Sequence, residues 1–398
     1  MEEAGVFIAI GYRPYGEKRG KKLVRQRWDI FCAVVDNYGD IGVCWRLARQ
    51  LAEEYDFVVQ LWVDDLAPLT RLCPEASADA EQQVVVGVEV RPWRQPFPDV
   101  QAADVVIEAF ACELPENYLV AMAARQNQGL SLPLWLNLEY LSAEDWVEGC
   151  HGMTSPHPRL PLTKHFFFPG FSPRTGGLLR EQDYDERRAR FNPVAFRAGL
   201  DIPAVPAGGL TVSLFAYENS GVGELLAAWA EGGRPILCLV PEGRLLPQVR
   251  FFFGQEAGRS YTRGSLTVQV LPFLPQSEYD QVLWFCDLNF VRGEDSFVRA
   301  QWAAKPLVWH IYPQDDDHHQ VKLQAFLTRY VAGLPEADAR ALKDFWLAWE
   351  NQAGTGIAWP AFEAALPSLT AHARAWAKTL ANRRDLTAEL VSFVMESR

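Results

Sequence analysis

Short apolar runs alternate with amphipathic stretches along most of this chain of 398 residues. In the first half, each apolar run has the length of a buried strand, and one stretch between them has the spacing of a helix face. The runs predict strands at 28–35, 57–62, 83–90, 105–110 and 132–136, with a helix at 116–125. Strands that alternate with helices indicate a parallel sheet covered on both faces.

A second alternating series follows residue 208. It predicts strands at 210–215, 235–240, 266–271, 287–291 and 306–310, and helices at 221–230, 277–285, 296–304 and 320–327. The tail at 336–398 is helical in pattern, and Pro360 and Pro367 are expected to break it into pieces. Between the two series, residues 150–206 are rich in His, Pro, Gly and Arg, which predicts loops and a domain boundary.

The length of 398 residues also favours two domains. Two doubly wound domains that face each other leave a cleft between them, which is the preferred place for a ligand. Residues 1–26 place a short apolar run before a basic stretch, the reverse of a signal peptide, so we expect a flexible extension outside the fold.

Composition narrows the classes of function. The net charge of -12 argues against a nucleic-acid partner. The seven cysteines form no CxxC pair and read as reduced residues of a cytoplasmic protein. Histidines and cysteines form no metal-ligand pattern, so neither a metal nor a cofactor is expected. Apolar runs stay short of the ~20 residues that a membrane helix needs, so no membrane partner is expected.

The first candidate site is the stretch VVDNYGDIG, in which Asp36 and Asp40 lie on a turn between a strand and a helix. Asp40 occupies the expected N-cap position, and Gly39 and Gly42 permit close backbone approach. Asp40 alone could be a plain cap, but Asp36 cannot cap the same helix. Two carboxylates repel phosphate, so this turn suits a cation or a proton donor.

The second candidate site is VRGEDS, again where a strand meets a helix. Arg292, the Ser296 hydroxyl and the first helical N–H groups suit a diphosphate, whereas Glu294 and Asp295 suit sugar hydroxyls. A simply capped helix is the plainer alternative.

Aromatic side chains follow other strands of the second series. Phe215 and Tyr217 come after one strand, and Phe273 and Gln276 come before a helix. A base can lie on an aromatic face, and a glutamine amide can pair with an imide such as thymine or uracil. For Phe273, which lies between two prolines, a core residue is a strong alternative.

Four segments in this order, DNYGDIG, FAYEN, PFLPQSEYD and VRGEDS, resemble the EarP family of bacterial protein-arginine rhamnosyltransferases, which modify translation elongation factor P. The resemblance runs from about residue 28 to the C-terminus. It implies a GT-B glycosyltransferase with two facing Rossmann-like domains and a cleft between them. It also implies an inverting, metal-independent reaction in the cytoplasm, with dTDP-β-L-rhamnose as the donor and one arginine of elongation factor P as the acceptor.

The resemblance implies an acceptor domain at 27–185, a nucleotide-sugar domain at 208–380, and a last helix at 381–398 that packs back on the first domain. It implies Asp40 as the general base, Asp36 as its partner and Glu294 as a further catalytic residue. The residues expected to bind the substrates are Asn37, Tyr38, Gly39, Phe215, Tyr217, Phe273, Gln276, Arg292, Gly293, Glu294, Asp295 and Ser296.

Two rival functions remain at this point. A sugar transferase of the same fold could act on a small-molecule or lipid acceptor. A nucleotide-binding module without enzymatic activity could dock on a translation factor, but such a module would not need Asp36 and Asp40.

Overall fold

The computed structural model describes residues 25–36, 38–205, 207–255, 257–313 and 318–397, so Asn37 and most of the predicted N-terminal extension lie outside the described residues. Two sheets with helices between their strands confirm the predicted α/β class. None of the helices in these ranges is both long and apolar enough to cross a membrane.

The first domain is built on an eight-stranded sheet in the order β3-β4-β2-β1-β5-β6-β8-β7, with β3 and β7 antiparallel to their neighbours. Its strands are β1 (Arg27–Cys32), β2 (Val58–Val63), β3 (Gln83–Val85), β4 (Val88–Pro92), β5 (Val105–Ala109), β6 (Leu134–Leu138), β7 (Thr154–Pro156) and β8 (Thr163–Phe167). Its helices are α1 (Gly39–Tyr55), α2 (Ala67–Leu72), α3 (Glu116–Ala124) and α4 (Val147–Cys150). Successive residues of β1, such as Ile30 and Phe31, enter different apolar clusters, as expected of a strand buried on both faces.

The second domain is built on a six-stranded sheet in the order β11-β12-β10-β9-β13-β14, in which only β11 is antiparallel to its neighbour. Its strands are β9 (Leu210–Leu214), β10 (Ile236–Pro241), β11 (Ser260–Arg263), β12 (Leu266–Leu271), β13 (Leu288–Arg292) and β14 (Leu307–His310). The helices from the linker onward are α5 (Tyr184–Ala189), α6 (Pro193–Gly199), α7 (Val222–Glu231), α8 (Leu246–Phe252), α9 (Gln276–Phe285), α10 (Asp295–Trp302), α11 (His318–Tyr330), α12 (Glu336–Glu350), α13 (Thr355–Ala381) and α14 (Leu386–Glu396).

Two sequence predictions of strands and loops were wrong in the first domain. The run 83–90 is a hairpin of two strands, because Val86 (φ 46°) and Gly87 (φ 75°) reverse the chain between them. The segment 150–206 is not all loop, since β7 and β8 extend the first sheet beyond β6. The strand β8 carries Lys164 and His165 in place of an apolar run, which is why the hydrophobic pattern did not reveal it.

The prediction that prolines break the tail was also wrong, because Pro360 and Pro367 lie inside the 27-residue helix α13. An interior proline costs a helix about 3 kcal/mol. The same helix buries Trp359, Phe362 and Leu369 in the apolar cluster of the second domain. Tertiary packing of that face therefore outweighs the local preference of the two prolines.

The chain ends by returning to the first domain. Leu386, Leu390 and Val394 of α14 lie in the same apolar cluster as the residues of β1 and α1. The Asp385 side chain caps α14 by accepting the Thr387 N–H at 2.9 Å, and it also accepts the Gln50 amide of α1 at 3.1 Å.

Replacement of a buried residue of α14 should destabilise the protein. We expect Leu390→Ala, at a site 0% exposed, to lower the free energy of unfolding by about 2–5 kcal/mol through lost burial and a new cavity. Met395→Ala, at a site 60% exposed on the same helix, should change it by less than about 0.5 kcal/mol. Equal effects of the two variants in chemical denaturation would show that α14 contributes little to this core.

Candidate active site

The carboxyl ends of strands from both sheets meet at a cleft of about 680 Å³ that is open to solvent. Residues that directly follow β1, β9, β10, β12 and β13 form its walls. Eleven of the residues predicted from the sequence line it, namely Asp36, Tyr38, Gly39, Phe215, Tyr217, Phe273, Gln276, Arg292, Gly293, Asp295 and Ser296. The structure thus brings together side chains from opposite ends of the chain, as expected for doubly wound domains.

Asp40 supports the loop between β1 and α1 that carries Asp36, called here the acidic loop. The helix α1 begins at Gly39, so Asp40 lies in its first turn, and the prediction that Asp40 is the N-cap was wrong. Its Oδ2 accepts the backbone N–H groups of Val35 and Asp36, both at 2.8 Å, and its Oδ1 accepts the Tyr140 hydroxyl at 3.2 Å. With only 2% exposure, Asp40 lies under the loop and not on the wall of the cleft.

Asp36 faces the cleft and contacts the other domain. The Tyr217 hydroxyl donates a hydrogen bond of 2.6 Å to Asp36 Oδ2, and burial raises the pKa of Asp36. Two glycines make this approach possible: a Cβ at Gly39 would lie 2.5 Å from Asp36 Oδ2, and one at Gly293 (φ +59°) would lie 2.9 Å from it. Any side chain at either position would push the acidic loop away from Tyr217.

Arg292 of the second domain provides a buried cation in the same cleft. Its guanidinium carbon lies 4.5 Å from the centre of the Phe215 ring and 4.8 Å from that of Tyr217. Its Nη1 is buried and has no hydrogen-bond partner among the described residues. Burial lowers the pKa of Arg292, but an arginine side chain keeps its charge in proteins. A buried, fixed cation with a free donor is what a phosphate group requires.

Ser296 braces the turn that carries Arg292. Its Oγ accepts the Arg292 N–H at 3.1 Å and donates to the carbonyl oxygen of the same residue. At the N-terminus of α10, Glu294 occupies the N-cap position and makes no side-chain cap hydrogen bond. The first N–H groups of α10 therefore keep their electropositive character toward the cleft.

Glu294 and Asp295 have protein partners in the structure. Asp295 accepts hydrogen bonds from Arg46 Nε at 2.9 Å and from the Gln276 amide at 3.0 Å. Glu294 accepts the Leu141 N–H at 3.0 Å, and burial raises its pKa to about 8. Glu294 lines a second, smaller cavity of about 270 Å³ and not the large cleft.

Aromatic rings from both domains form the rest of the cleft wall. Phe273 lies 5.0 Å from the ring of Tyr38 and 4.7 Å from the guanidinium carbon of Arg71, so it is not a core residue of one domain. Phe215 packs 5.4 Å from the ring of Tyr279. These rings offer flat apolar faces on which a nucleobase can stack.

The family model described as "Elongation-Factor P (EF-P) rhamnosyltransferase EarP" matches residues 28–395. The chain belongs to the EarP family. It is 52% identical over 382 residues to the protein-arginine rhamnosyltransferase of Pseudomonas putida, which covers 94% of this chain and 100% of that protein. It is 50% identical over 374 residues to the protein of the same name from Pseudomonas aeruginosa, which covers 92% of this chain and 98% of that protein.

A solved structure described as "Structural basis for EarP-mediated arginine glycosylation of translation elongation factor EF-P" is 38% identical to the chain, with a TM-score of 0.66. The match covers 94% of this chain and 100% of that one. The EarP-family protein is therefore a glycosyltransferase of the GT-B fold, with its two domains facing across the cleft described above.

Sequence reasoning missed two features of this EarP-family site. Tyr140, which donates to Asp40, comes after β6, in a stretch that carries no recognisable motif. Arg46 lies between Trp45 and Leu47 in the middle of α1 and is itself buried. A charged residue on a buried helical stretch was the available signal, but its partner Asp295 is 249 residues away in the chain.

The pKa of Glu294 predicts a specific pH dependence of stability. The group ordinarily titrates near 4.5 and in the folded protein near 8, so between these values the folded state binds more protons than the unfolded state. Stability from this group is therefore fully present below about pH 4.5 and is lost as the pH rises through about 8. When the pH rises from about 5 to about 9, the free energy of unfolding of Glu294→Gln should fall less than that of the wild type.

The control is Glu336→Gln, whose side chain is 89% exposed on α12 and which should follow the wild type. Chemical denaturation at several pH values measures the difference. Identical pH profiles for the wild type and Glu294→Gln would contradict the raised pKa.

Proposed function

We propose that this protein transfers L-rhamnose from dTDP-β-L-rhamnose to an arginine side chain of translation elongation factor P, with inversion at the anomeric carbon. One observation carries the proposal: the acidic loop of Asp36 faces the buried, unpaired donor of Arg292 across one cleft. The family match and the names of the relatives support the choice of sugar and of acceptor.

The second domain supplies a site suited to the donor. The rings of Phe215 and Phe273 flank the space for the base, and Arg292 with the N-terminus of α10 faces the space for the diphosphate. The Oε1 of Gln276 has no hydrogen-bond partner among the described residues. It can therefore accept a hydrogen bond from an imide N–H or a sugar hydroxyl. Positive charge for the leaving dTDP thus comes from the protein, so we propose that no metal ion is needed.

The first domain supplies a site suited to a guanidinium group. Guanidinium has a pKa above 12, so it reaches the enzyme protonated and is a poor nucleophile. The carboxylate of Asp36 can hold its planar fork by charge-assisted hydrogen bonds. We propose that Asp40 exchanges the hydrogen bond from Tyr140, the longest of its three at 3.2 Å, for one from the substrate.

A guanidinium nitrogen attacks the anomeric carbon on the face opposite the diphosphate, and the bond from that carbon to the β-phosphate oxygen breaks. The nitrogen's proton passes to Asp40, because the nitrogen becomes acidic only as the new bond forms. Asp36 lies in the cleft beside the space where the positive charge of the sugar develops, and Arg292 stabilises the dTDP that leaves. Such a reaction belongs to the cytoplasm, and all seven cysteines are free thiols.

Two variants should separate chemistry from donor binding. Asp40→Asn keeps size and hydrogen bonding but removes the base, so turnover of elongation factor P should fall by about 10² or more. Its affinity for dTDP, measured by calorimetry, should stay within a few-fold. Arg292→Ala should weaken dTDP binding about tenfold or more, because it removes a charge-assisted contact.

The matched control is Arg263→Ala, which removes an arginine that lies 4.7 Å from the ring of Phe252, outside the cleft lining. It should leave both quantities unchanged. Unaltered dTDP affinity in Arg292→Ala, or near-normal turnover in Asp40→Asn, would contradict these assignments.

A further inference from the structure

Arg46 of the first domain lies in direct contact with the donor side of the cleft. Its side chain is 1% exposed, and it holds Asp295 with two nitrogens, Nε to Oδ1 at 2.9 Å and Nη2 to Oδ2 at 3.2 Å. Its remaining nitrogen, Nη1, donates to Glu181 Oε1 at 2.8 Å. All three polar groups of the guanidinium are therefore occupied by partners outside its own helix.

The contact is part of a closed ring between α1 and the second domain. Asp295 Oδ2 accepts the Gln276 amide at 3.0 Å, and the same amide nitrogen donates to the Gly42 carbonyl of α1 at 2.8 Å. Gly42 and Arg46 are neighbours on one face of α1, one turn apart. The Gln276 nitrogen makes both of these hydrogen bonds. The Gln276 oxygen, which has no partner among the described residues, is therefore free to bind a ligand in the cleft.

A second set of ion pairs anchors the ring from behind. Glu181, between β8 and α5, also accepts Arg299 Nη1 at 2.7 Å, and Arg299 Nε donates to Asp280 Oδ1 at 2.8 Å. Asp280 lies on α9, the helix that begins at Gln276. Both Arg299 and Asp280 are 1% exposed or less. The loss of either partner would leave a buried, uncompensated charge and would destabilise the protein.

We propose that Arg46 is a positioning residue for nucleotide-sugar binding, which acts across the domain boundary by fixing the Asp295 carboxylate and the Gln276 amide in the cleft. The proposal rests on the proposed function and adds that donor affinity depends on a residue of the opposite domain. Arg46 itself does not line the cleft, so its effect passes through the two side chains that do.

The test is Arg46→Lys, which keeps the charge but replaces a planar fork by one ammonium group that cannot hold Asp295 and Glu181 together. We expect the KM for dTDP-β-L-rhamnose and the calorimetric Kd for dTDP to rise about tenfold. The KM for elongation factor P should stay within about twofold, because the proposed acceptor contacts are made by Asp36 and Asp40 and not by Arg46 or its partners. A loss of folding stability alone would not raise the KM for the donor while leaving the KM for the acceptor unchanged.

The matched control is Arg49→Lys, on the same helix, whose guanidinium lies 5.7 Å from the Trp45 ring and which does not line the cleft. It should behave as the wild type. A second variant, Glu181→Gln, removes the rear anchor of Arg46 without touching the cleft and should weaken dTDP binding about threefold. It provides the test if Arg46→Lys does not fold.

Donor affinity within twofold of wild type in the folded variants would overturn the role of Arg46. An equal loss for both substrates would overturn it as well. If the wild-type protein itself binds neither dTDP nor dTDP-β-L-rhamnose, the proposed function fails first, and the two failures are thereby distinguished.

Discussion

The site depends on holding a carboxylate and a guanidinium of the protein close together without letting them neutralise each other. Tyr217 contacts both: its hydroxyl donates to Asp36, and its ring lies 4.8 Å from the guanidinium carbon of Arg292. Asp36 is thereby left available to a cationic substrate, and Arg292 to an anionic one. A glycosyl transfer between a diphosphate leaving group and a guanidinium needs both charges in one cleft.

Such an arrangement demands that the two domains meet in one orientation. Buried ion pairs add little net stability, but the loss of one partner leaves an uncompensated buried charge, so they strongly disfavour other arrangements. The pair of Arg46 on α1 with Asp295 on α10 crosses from the first domain to the second and acts in this way. The last helix adds apolar contact, because α14 returns after the second domain to pack on the first.

Local chemistry made most of the site predictable from the sequence. Asp36 follows β1 and Arg292 ends β13, each within three residues of a glycine, and the carboxyl ends of parallel strands gather at one edge of a sheet. The exact start of a helix was less predictable, and Asp40 proved to support the preceding loop instead of capping α1.

Features that depend on distant contacts could not be predicted. The pairing of Arg46 with Asp295 joins residues 249 positions apart, and no pattern around Arg46 indicates its partner. The prolines of α13 were misjudged for the same reason, since the burial of Trp359 and Phe362 comes from neighbours far away in the chain. Glu294 was assigned to the cleft from its neighbours in sequence, whereas the fold turns its carboxyl toward Leu141.

The central claim is that the acidic loop recognises the planar fork of an arginine on a folded acceptor. Mass spectrometry of elongation factor P after incubation with the protein and dTDP-β-L-rhamnose tests it most directly. The account predicts the gain of one deoxyhexose on a single arginine, and no gain when that arginine is replaced by lysine, which offers a point charge in place of two parallel donors. Modification of the lysine variant at a rate close to that of the arginine form, or no modification of either, would contradict the account.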